Sequence, residues 1–485
     1  MKFINKYHRV ILCFIPLLSF ALHYHIFNLD LVGIHVWRQT ETQTVINNFY
    51  HDDFNIFNAK INNFVWRNRD FRLEFPTLQW IYAIFYKIFG EHIAISRVLT
   101  FILGLFSVYG MYYLCKAVFK NIQIATICAW CFNFSPVFYY YTVNPLPDNL
   151  SLCCGIWSIA FFYNYINTEK TKYLIWSAIF LSLATLIKLP LILYGSLMLT
   201  FFILQLKWKE RSLKQLLFPV AVFILCALPD LAWYMYVIPN YWYGMLVLKG
   251  VAGVKLTMAD TFSFLWGNAT SVLPELLINY GSVLFFILGF YFIIRNKTYK
   301  NKYFPLFAVW GLSILVYFLF ELNVICLVHD YYLLPFLPVI FLLVAYGGYS
   351  LLSSKRKYLQ ILAGTCLVIL PLTAFLRADS RWNTKEPNFN VSYYNNKKEI
   401  RDLIPKDAYV IAGNDASQQI SLYYIDRKGW TYEDDILNDK IISDYMNKGA
   451  RYLFIDGNAD TISEVKAHLA EKIFDKETLR IYKLK

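Results

Sequence analysis

Charge is scarce in this chain: Asp, Glu, Lys and Arg make up 16% of its 485 residues, against 58% hydrophobic and 19% aromatic. That balance excludes a disordered chain and an ordinary soluble enzyme. Disulfide chemistry is lacking too. All nine cysteines fall in or beside hydrophobic stretches and none follows Cys366, so neither a disulfide framework nor a cysteine-based zinc site is implied. No phosphate-loop or Gly-x-Gly-x-x-Gly pattern occurs, so no nucleotide-binding domain is visible, and there is no tandem repeat or low-complexity linker.

What is abundant is long apolar sequence. Runs at 11–27, 98–119, 122–141, 150–166, 173–186, 189–206, 216–238, 276–294, 304–322, 331–352 and 358–376 predict about eleven spanning helices, since crossing the hydrocarbon takes roughly twenty residues. The first run lacks a small-residue cleavage site and is read as retained. The net charge of +13 follows topology rather than nucleic-acid binding. With Lys2, Lys6 and Arg9 cytoplasmic, alternate loops carry Lys116 and Lys120, Lys170 and Lys172, then the basic stretches 207–214, 295–302 and 355–357. That bookkeeping makes 76–90 a helix at the outer interface rather than a crossing, with Trp80, Tyr82 and Tyr86 suited to the headgroup zone. The expected organisation is a membrane domain over 1–376, whose first outer loop is 31–94, followed by an outer α/β domain over 377–485. In the latter, strands are expected at 409–412, 452–456 and 480–484, and helices at 436–447 and 462–472. The turns at Gly413 and Gly457 are read as chain reversals rather than ligand loops.

Candidate chemistry gathers at the outer ends of the spans. Glu41 stands near the start of a predicted helix over 37–49, three residues from Arg38. Asp148 opens the fourth span, where an acid can either cap the helix or serve a site. Asp52 and Asp53 are fallback acids that also suit a helix stop. A carboxylate here can act as general base on a hydroxyl or hold a metal against a leaving phosphate, and residue type leaves both open. Arg38, Arg67, Arg69, Arg72 and Arg97 lie on or near the same side. Lys188 ends the fifth span and either snorkels or binds an anion. His329-Asp330-Tyr331-Tyr332 precedes the next run and can orient a phosphate or form part of an aromatic belt. Trp66, Trp80 and Tyr139 to Tyr141 can stack on sugars or belong to the same belt.

The order of these features is a basic N-terminus, a span, an outer loop with an acid, Glu74-Phe75-Pro76 before an interfacial helix, Gly90 then Arg97, Ser135-Pro136 with Asp148, and Lys188-Leu189-Pro190. It resembles the polytopic clan C glycosyltransferases, which include protein O-mannosyltransferases, aminoarabinose transferases and bacterial core-sugar transferases. The resemblance covers residues 1–376, with motifs loose singly and specific together. It implies a mainly α polytopic membrane protein, a clan C bundle with outer juxtamembrane helices and the small C-terminal α/β domain. It further implies a transferase moving a hexose or pentose from a polyprenyl-phosphate donor to a lipid, glycan or protein acceptor on the outer face of a bacterial plasma membrane, in the cell envelope.

In such families the first-loop acid and the acid after the third span form the functional pair, here Glu41 and Asp148, although many members have Asp where this chain has Thr40-Glu41. On this reading Arg38, Glu74, Arg97, Lys188, His329 and Tyr331 bind donor phosphate or substrate, and a divalent ion, if one is used, sits on Glu41 and Asp148. The alternatives are a transporter or flippase and a non-catalytic scaffold. The mid-span regions hold almost no ionisable residue except Asp230 beside Pro229, which favours interfacial catalysis over a transport path.

Overall fold

A computed structural model of the chain describes residues 2–65, 69–242, 250–253, 256–325, 329–433 and 436–485. It has two compact units. One comprises Met1–Asn28, Leu73–Phe75 and Ser96–Ser380; the other comprises Leu29–Arg72, Pro76–Ile95 and Arg381–Lys485.

The first unit is helical, and the chain is an integral membrane protein. Among the described residues six helices are long and apolar enough to cross a bilayer: Ile4–Ile26, Ile93–Phe119, Leu189–Lys207, Leu213–Tyr241, Asp330–Leu352 and Lys357–Asp379. Met258–Ile278 with Tyr280–Arg295, bent by 106°, makes a seventh if the pair is one broken span. The apolar runs outnumber these helices because several are interrupted. The run at 122–141 divides into Ile122–Asn133 and Pro136–Tyr141, since Pro136 starts a helix but cannot continue one. Thr171–Ile187 stops at Lys188, two residues ahead of Pro190.

At the 106° bend Asn279 adopts a positive φ of 74°, and its amide group supplies the partners that the broken backbone needs. Its Nδ2 donates to the Phe134 carbonyl at 2.9 Å, while the Thr373 hydroxyl donates to its Oδ1 at 2.8 Å. Nearby, Tyr280–Arg295 and Leu337–Leu352 pack backbone to backbone: a Cβ on Gly347 would fall on the Phe285 carbonyl, so only glycine fits.

The second unit joins the first loop to the C-terminal residues. Its sheet contains β1 (Tyr409–Ala412), β2 (Gly429–Thr431), β3 (Ala450–Asp456), β4 (Leu469–Lys476) and β5 (Leu479–Leu484), in the order β2-β1-β3-β5-β4. β1 runs parallel to β2 and β3, whereas β5 runs antiparallel to β3 and β4. Alternation gives each face its own core. Val410, Ala412 and Phe454 pack with Leu31, Val36 and Tyr424; Ile411, Leu453 and Ile455 pack with Trp430, Ile442 and Val465. The segment expected to be helical over 462–472 is helix only over Ser463–His468, because residues from Leu469 onward pair with β5 as a hairpin. The short β2 gave no periodic signal in three residues.

First-loop residues are built into this sheet. The Phe64 N–H donates to the Gly429 carbonyl at 2.8 Å, and Asn63 Nδ2 reaches the Thr431 hydroxyl at 2.9 Å. Asp30 pairs with Lys397 and accepts from the Tyr423 hydroxyl at 2.7 Å. The helix expected at the outer interface spans Thr77–Phe89, and its Tyr82 and Tyr86 are buried rather than exposed. The Tyr86 hydroxyl instead accepts from Gln43 Nε2 at 2.8 Å, leaving Ile88 and Phe89 as the exposed apolar residues.

Asp52 ends the helix Val36–His51 and lies 2.9 Å from Arg69 and 2.8 Å from Lys428. Burial raises its carboxyl, but the hydrogen bonds and charges of Lys428 and Arg69 outweigh this and hold it below the ordinary 3.8. Stabilisation from such a group is complete above 3.8 and is lost as pH falls through the lowered folded value. In thermal melts from about pH 6 to about pH 3, Asp52→Asn should therefore show a shallower loss of stability than wild type. Superimposable pH slopes would mean that the bridge contributes nothing.

Candidate functional site

Asp148, Lys188 and Glu74 converge in the membrane unit. Asp148 lies in the first turn of the helix Pro147–Thr168, whose N-cap, Leu146, has no polar side chain to cap it. Lys188 stands between the helix Thr171–Ile187 and a tight turn over Leu189–Tyr194, with an extended backbone at φ −143° and ψ 106°. Its ammonium is 3.2 Å from Asp148 Oδ2 and 3.7 Å from Glu74 Oε2. The three side chains are only 17%, 10% and 6% exposed for Lys188, Asp148 and Glu74, so the lysine is engaged internally rather than snorkelling. With all three ionised the cluster carries one net negative charge in a poorly screened setting, where such charges act strongly on a reacting group.

The surrounding chain fixes this geometry. The Phe75 N–H donates to the Leu186 carbonyl at 3.3 Å, and the Phe75 ring meets Trp233 edge to face at 4.9 Å. The Tyr234 hydroxyl reaches the Thr185 and Leu186 carbonyls at 3.1 Å, and Ser151 Oγ donates to the Ala184 carbonyl at 2.7 Å. Arg97, expected to bind substrate, is fully buried. It donates to the Val143 carbonyl at 3.0 Å and Asn144 Oδ1 at 2.7 Å, and Asn149 Nδ2 closes the same turn on the Asn144 carbonyl at 2.9 Å. Arg97 thus holds the turn that leads into the helix carrying Asp148.

Around this cluster, Tyr331 is 2% exposed, and the His329 ring lies 5.1 Å from those of Tyr331 and Tyr332. Asp330 accepts from the Tyr141 hydroxyl at 2.5 Å. Tyr139, Tyr140 and Tyr141 are buried, so they pack the interior and offer no face to a sugar. The turn Asp330–Phe336 packs against Pro147–Thr168, the helix that carries Asp148, and against the short helix Leu322–Ile325. Glu321, buried at 4% exposure, escaped the sequence reading because it closes the apolar run at 304–322; a lone carboxylate ending such a run was the available signal.

In the second unit Arg38 and Glu41 form an ion pair at 5% and 8% exposure, with the guanidinium 5.9 Å from the Phe71 ring centroid. This is a buried pair, not a solvated surface one. Asp52 is engaged by Arg69 and Lys428 as described, and Asp53 accepts from Asn58 at 2.5 Å. Trp66 and Arg67 lie outside the described residues. Among the described residues no group of three or more His, Cys, Asp or Glu side chains could hold a metal ion. At Asp148 the nearby cation is the Lys188 ammonium, which would repel a divalent ion, so this donor set does not fit a resident metal.

Residues 74–233, which include Glu74, Asp148 and Lys188, match the family model described as dolichyl-phosphate-mannose-protein mannosyltransferase. No curated protein sequence matches the chain. Among solved structures, ArnT from Cupriavidus metallidurans in the apo state is similar with a TM-score of 0.69 at 8% identity, covering 99% of this chain and 98% of that one. Its undecaprenyl phosphate-bound form gives 0.66 at 9% identity, with the same 99% and 98% coverage. The archaeal oligosaccharyltransferase AglB from Archaeoglobus fulgidus, in complex with an inhibitory peptide and a dolichol-phosphate, gives 0.61 at 12% identity over 93% of this chain and 70% of that one.

Lys188→Met removes the ammonium beside Asp148 and should destabilise the protein by about 3 kcal/mol, in the range for breaking a buried ion pair. Adding Asp148→Asn should recover part of that loss in a double-mutant cycle. Fully additive losses in detergent-solubilised melts would show that the two groups do not interact.

Proposed function

We propose that this integral membrane protein, which has the fold of the clan C glycosyltransferases, transfers a sugar from a polyprenyl-phosphate carrier to the hydroxyl of an acceptor. The observation that carries this reading is the buried Glu74–Lys188–Asp148 cluster, lying within the stretch matched by a mannosyltransferase family model. The lipid-phosphate donor is supported by undecaprenyl phosphate and dolichol-phosphate bound to ArnT and AglB. The alternating basic loops support a reaction on the outer face of a bacterial plasma membrane, with the C-terminal residues on that side.

In the proposed step Asp148 takes the proton of the acceptor hydroxyl as its oxygen bonds to the anomeric carbon. The bond from that carbon to the phosphate oxygen breaks, and its electron pair leaves with the carrier. The carrier thereby passes from a singly charged phosphodiester to a phosphate monoester with a second ionisable oxygen. Protonating Asp148 cancels one of the two negative charges facing Lys188, freeing the ammonium to meet the charge that develops on the departing phosphate. Glu74 keeps Lys188 in place through this exchange. Glu41, with Arg38 as its partner, is the other candidate base, while His329 and Tyr331 are assigned to donor binding. The sugar and the acceptor class, whether lipopolysaccharide-type lipid, glycan or protein, follow from assay.

With purified protein in lipid nanodiscs, polyprenyl-phosphate sugars and a panel of acceptors, Asp148→Asn should slow transfer by about 10²-fold or more, as for loss of a general base. Lys188→Met should lower kcat more than it raises KM, because its charge acts on the leaving group. Wild-type rates in both Asp148→Asn and Glu41→Gln would overturn the site. If wild type consumes no donor yet moves a lipid or solute across vesicles, a transporter replaces the transferase.

A further inference from the structure

Glu321 ends the helix Phe304–Phe320 and is followed by the short helix Leu322–Ile325, which contains Asn323. Its backbone is fully occupied locally: its N–H donates to the Tyr317 carbonyl at 2.9 Å, and its carbonyl accepts from Val324 and Ile325 at 2.9 Å. Its side chain has no comparable employment. Glu321 is 4% exposed and Asn323 6%, and neither Glu321 Oε2 nor Asn323 Oδ1 has a hydrogen-bond partner among the described residues. A carboxylate at the C-terminal end of a helix also has the wrong sign for the helix dipole, so its position gains nothing locally. Buried acceptors without donors are unfavourable unless something brings donors to them.

Two observations say what that something is. Both atoms accept hydrogen bonds and neither is paired with a cation among the described residues, so the complement is a set of hydrogen-bond donors, such as sugar hydroxyls, rather than a phosphate, which the carboxylate would repel. The short helix Leu322–Ile325 packs on the turn Asp330–Phe336, which packs in turn on Pro147–Thr168, the helix that carries Asp148, so these acceptors and the Glu74–Lys188–Asp148 cluster belong to neighbouring elements of one unit. We propose that Glu321 and Asn323 form the subsite that binds the hydroxyls of the carrier-linked sugar and so select the sugar, an inference that rests on the glycosyltransferase reading. Two buried acceptors on one short element can take two hydroxyls of one ring, and holding the ring there orients its anomeric carbon toward the base.

Binding tests the idea independently of turnover. Wild type, Glu321→Gln and Asn323→Leu in nanodiscs would be titrated with bare polyprenyl phosphate and with a series of hexosyl and pentosyl polyprenyl phosphates. Wild type should bind at least one glycosylated carrier more tightly than the bare one. Glu321→Gln should reduce that ratio about tenfold or more, as for loss of a charged hydrogen bond, and Asn323→Leu should reduce it less. An Asn323→Asp variant, which keeps the acceptor, should retain most of it. Equal binding of bare and glycosylated carriers by wild type, or an unchanged ratio in Glu321→Gln, overturns the subsite even if Asp148→Asn abolishes transfer. A retained sugar preference in a wild type that transfers to no acceptor would instead overturn the transferase reading and leave the subsite standing.

Discussion

A hydrocarbon surrounding supplies no water to a stranded polar group, and the membrane unit is organised around that constraint. Where a span breaks, the side chain of Asn279 replaces the missing partners. Where a loop is buried, Arg97 gathers its carbonyls. Lys188 sits where a helix is forced to stop, and its charge is balanced by acids delivered from two other stretches of chain. Catalytic potential and structural repair therefore use the same chemistry. The difference lies in surplus: Arg97 donates to acceptors of a single turn, whereas the lysine cluster holds one carboxylate more than its ammonium neutralises.

The second unit follows a different logic. Its sheet is a standard alternation of faces with an apolar core on each, and the partly buried ion pairs Asp30–Lys397 and Asp52–Lys428 tie the early loop to the C-terminal residues. Such pairs add little net stability but disfavour wrong registers, because a displaced Asp30 or Lys397 would be a partly desolvated charge without its counterpart. Asn63 and Phe64 extend the same principle with neutral bonds to β2, so that the shortest strand is held from both sides.

Legibility in the sequence followed range of interaction. Membrane character, the helix containing Arg38 and Glu41, the strands around Val410 and Phe454, and the pause at Lys188 before Pro190 are local in cause and could be read from composition, periodicity and proline position. The convergence of Glu74, Asp148 and Lys188 was expected only as a common side of the membrane; their pairing depends on helix packing that no local pattern encodes. That Arg97 is buried against the carbonyls of one turn was not legible, because a sequence does not display burial. Leu469 onward looked helical because the hairpin partner that makes it a strand comes later in the chain. Glu321 was hidden by its apolar neighbours, which define a membrane run and obscure its end.

The division of the chain also sets an order of events during synthesis. Leu29–Arg72 emerges early, yet the residues that complete its body begin at Arg381, after the membrane unit has been made. Asp30 waits for Lys397, and Asn63 for Thr431. At about 5–20 residues per second this delay lasts on the order of tens of seconds, during which the early loop has no sheet to join and its apolar residues, Leu31 and Val36 among them, have no core. The first loop can therefore close only once the last hundred or so residues have been made.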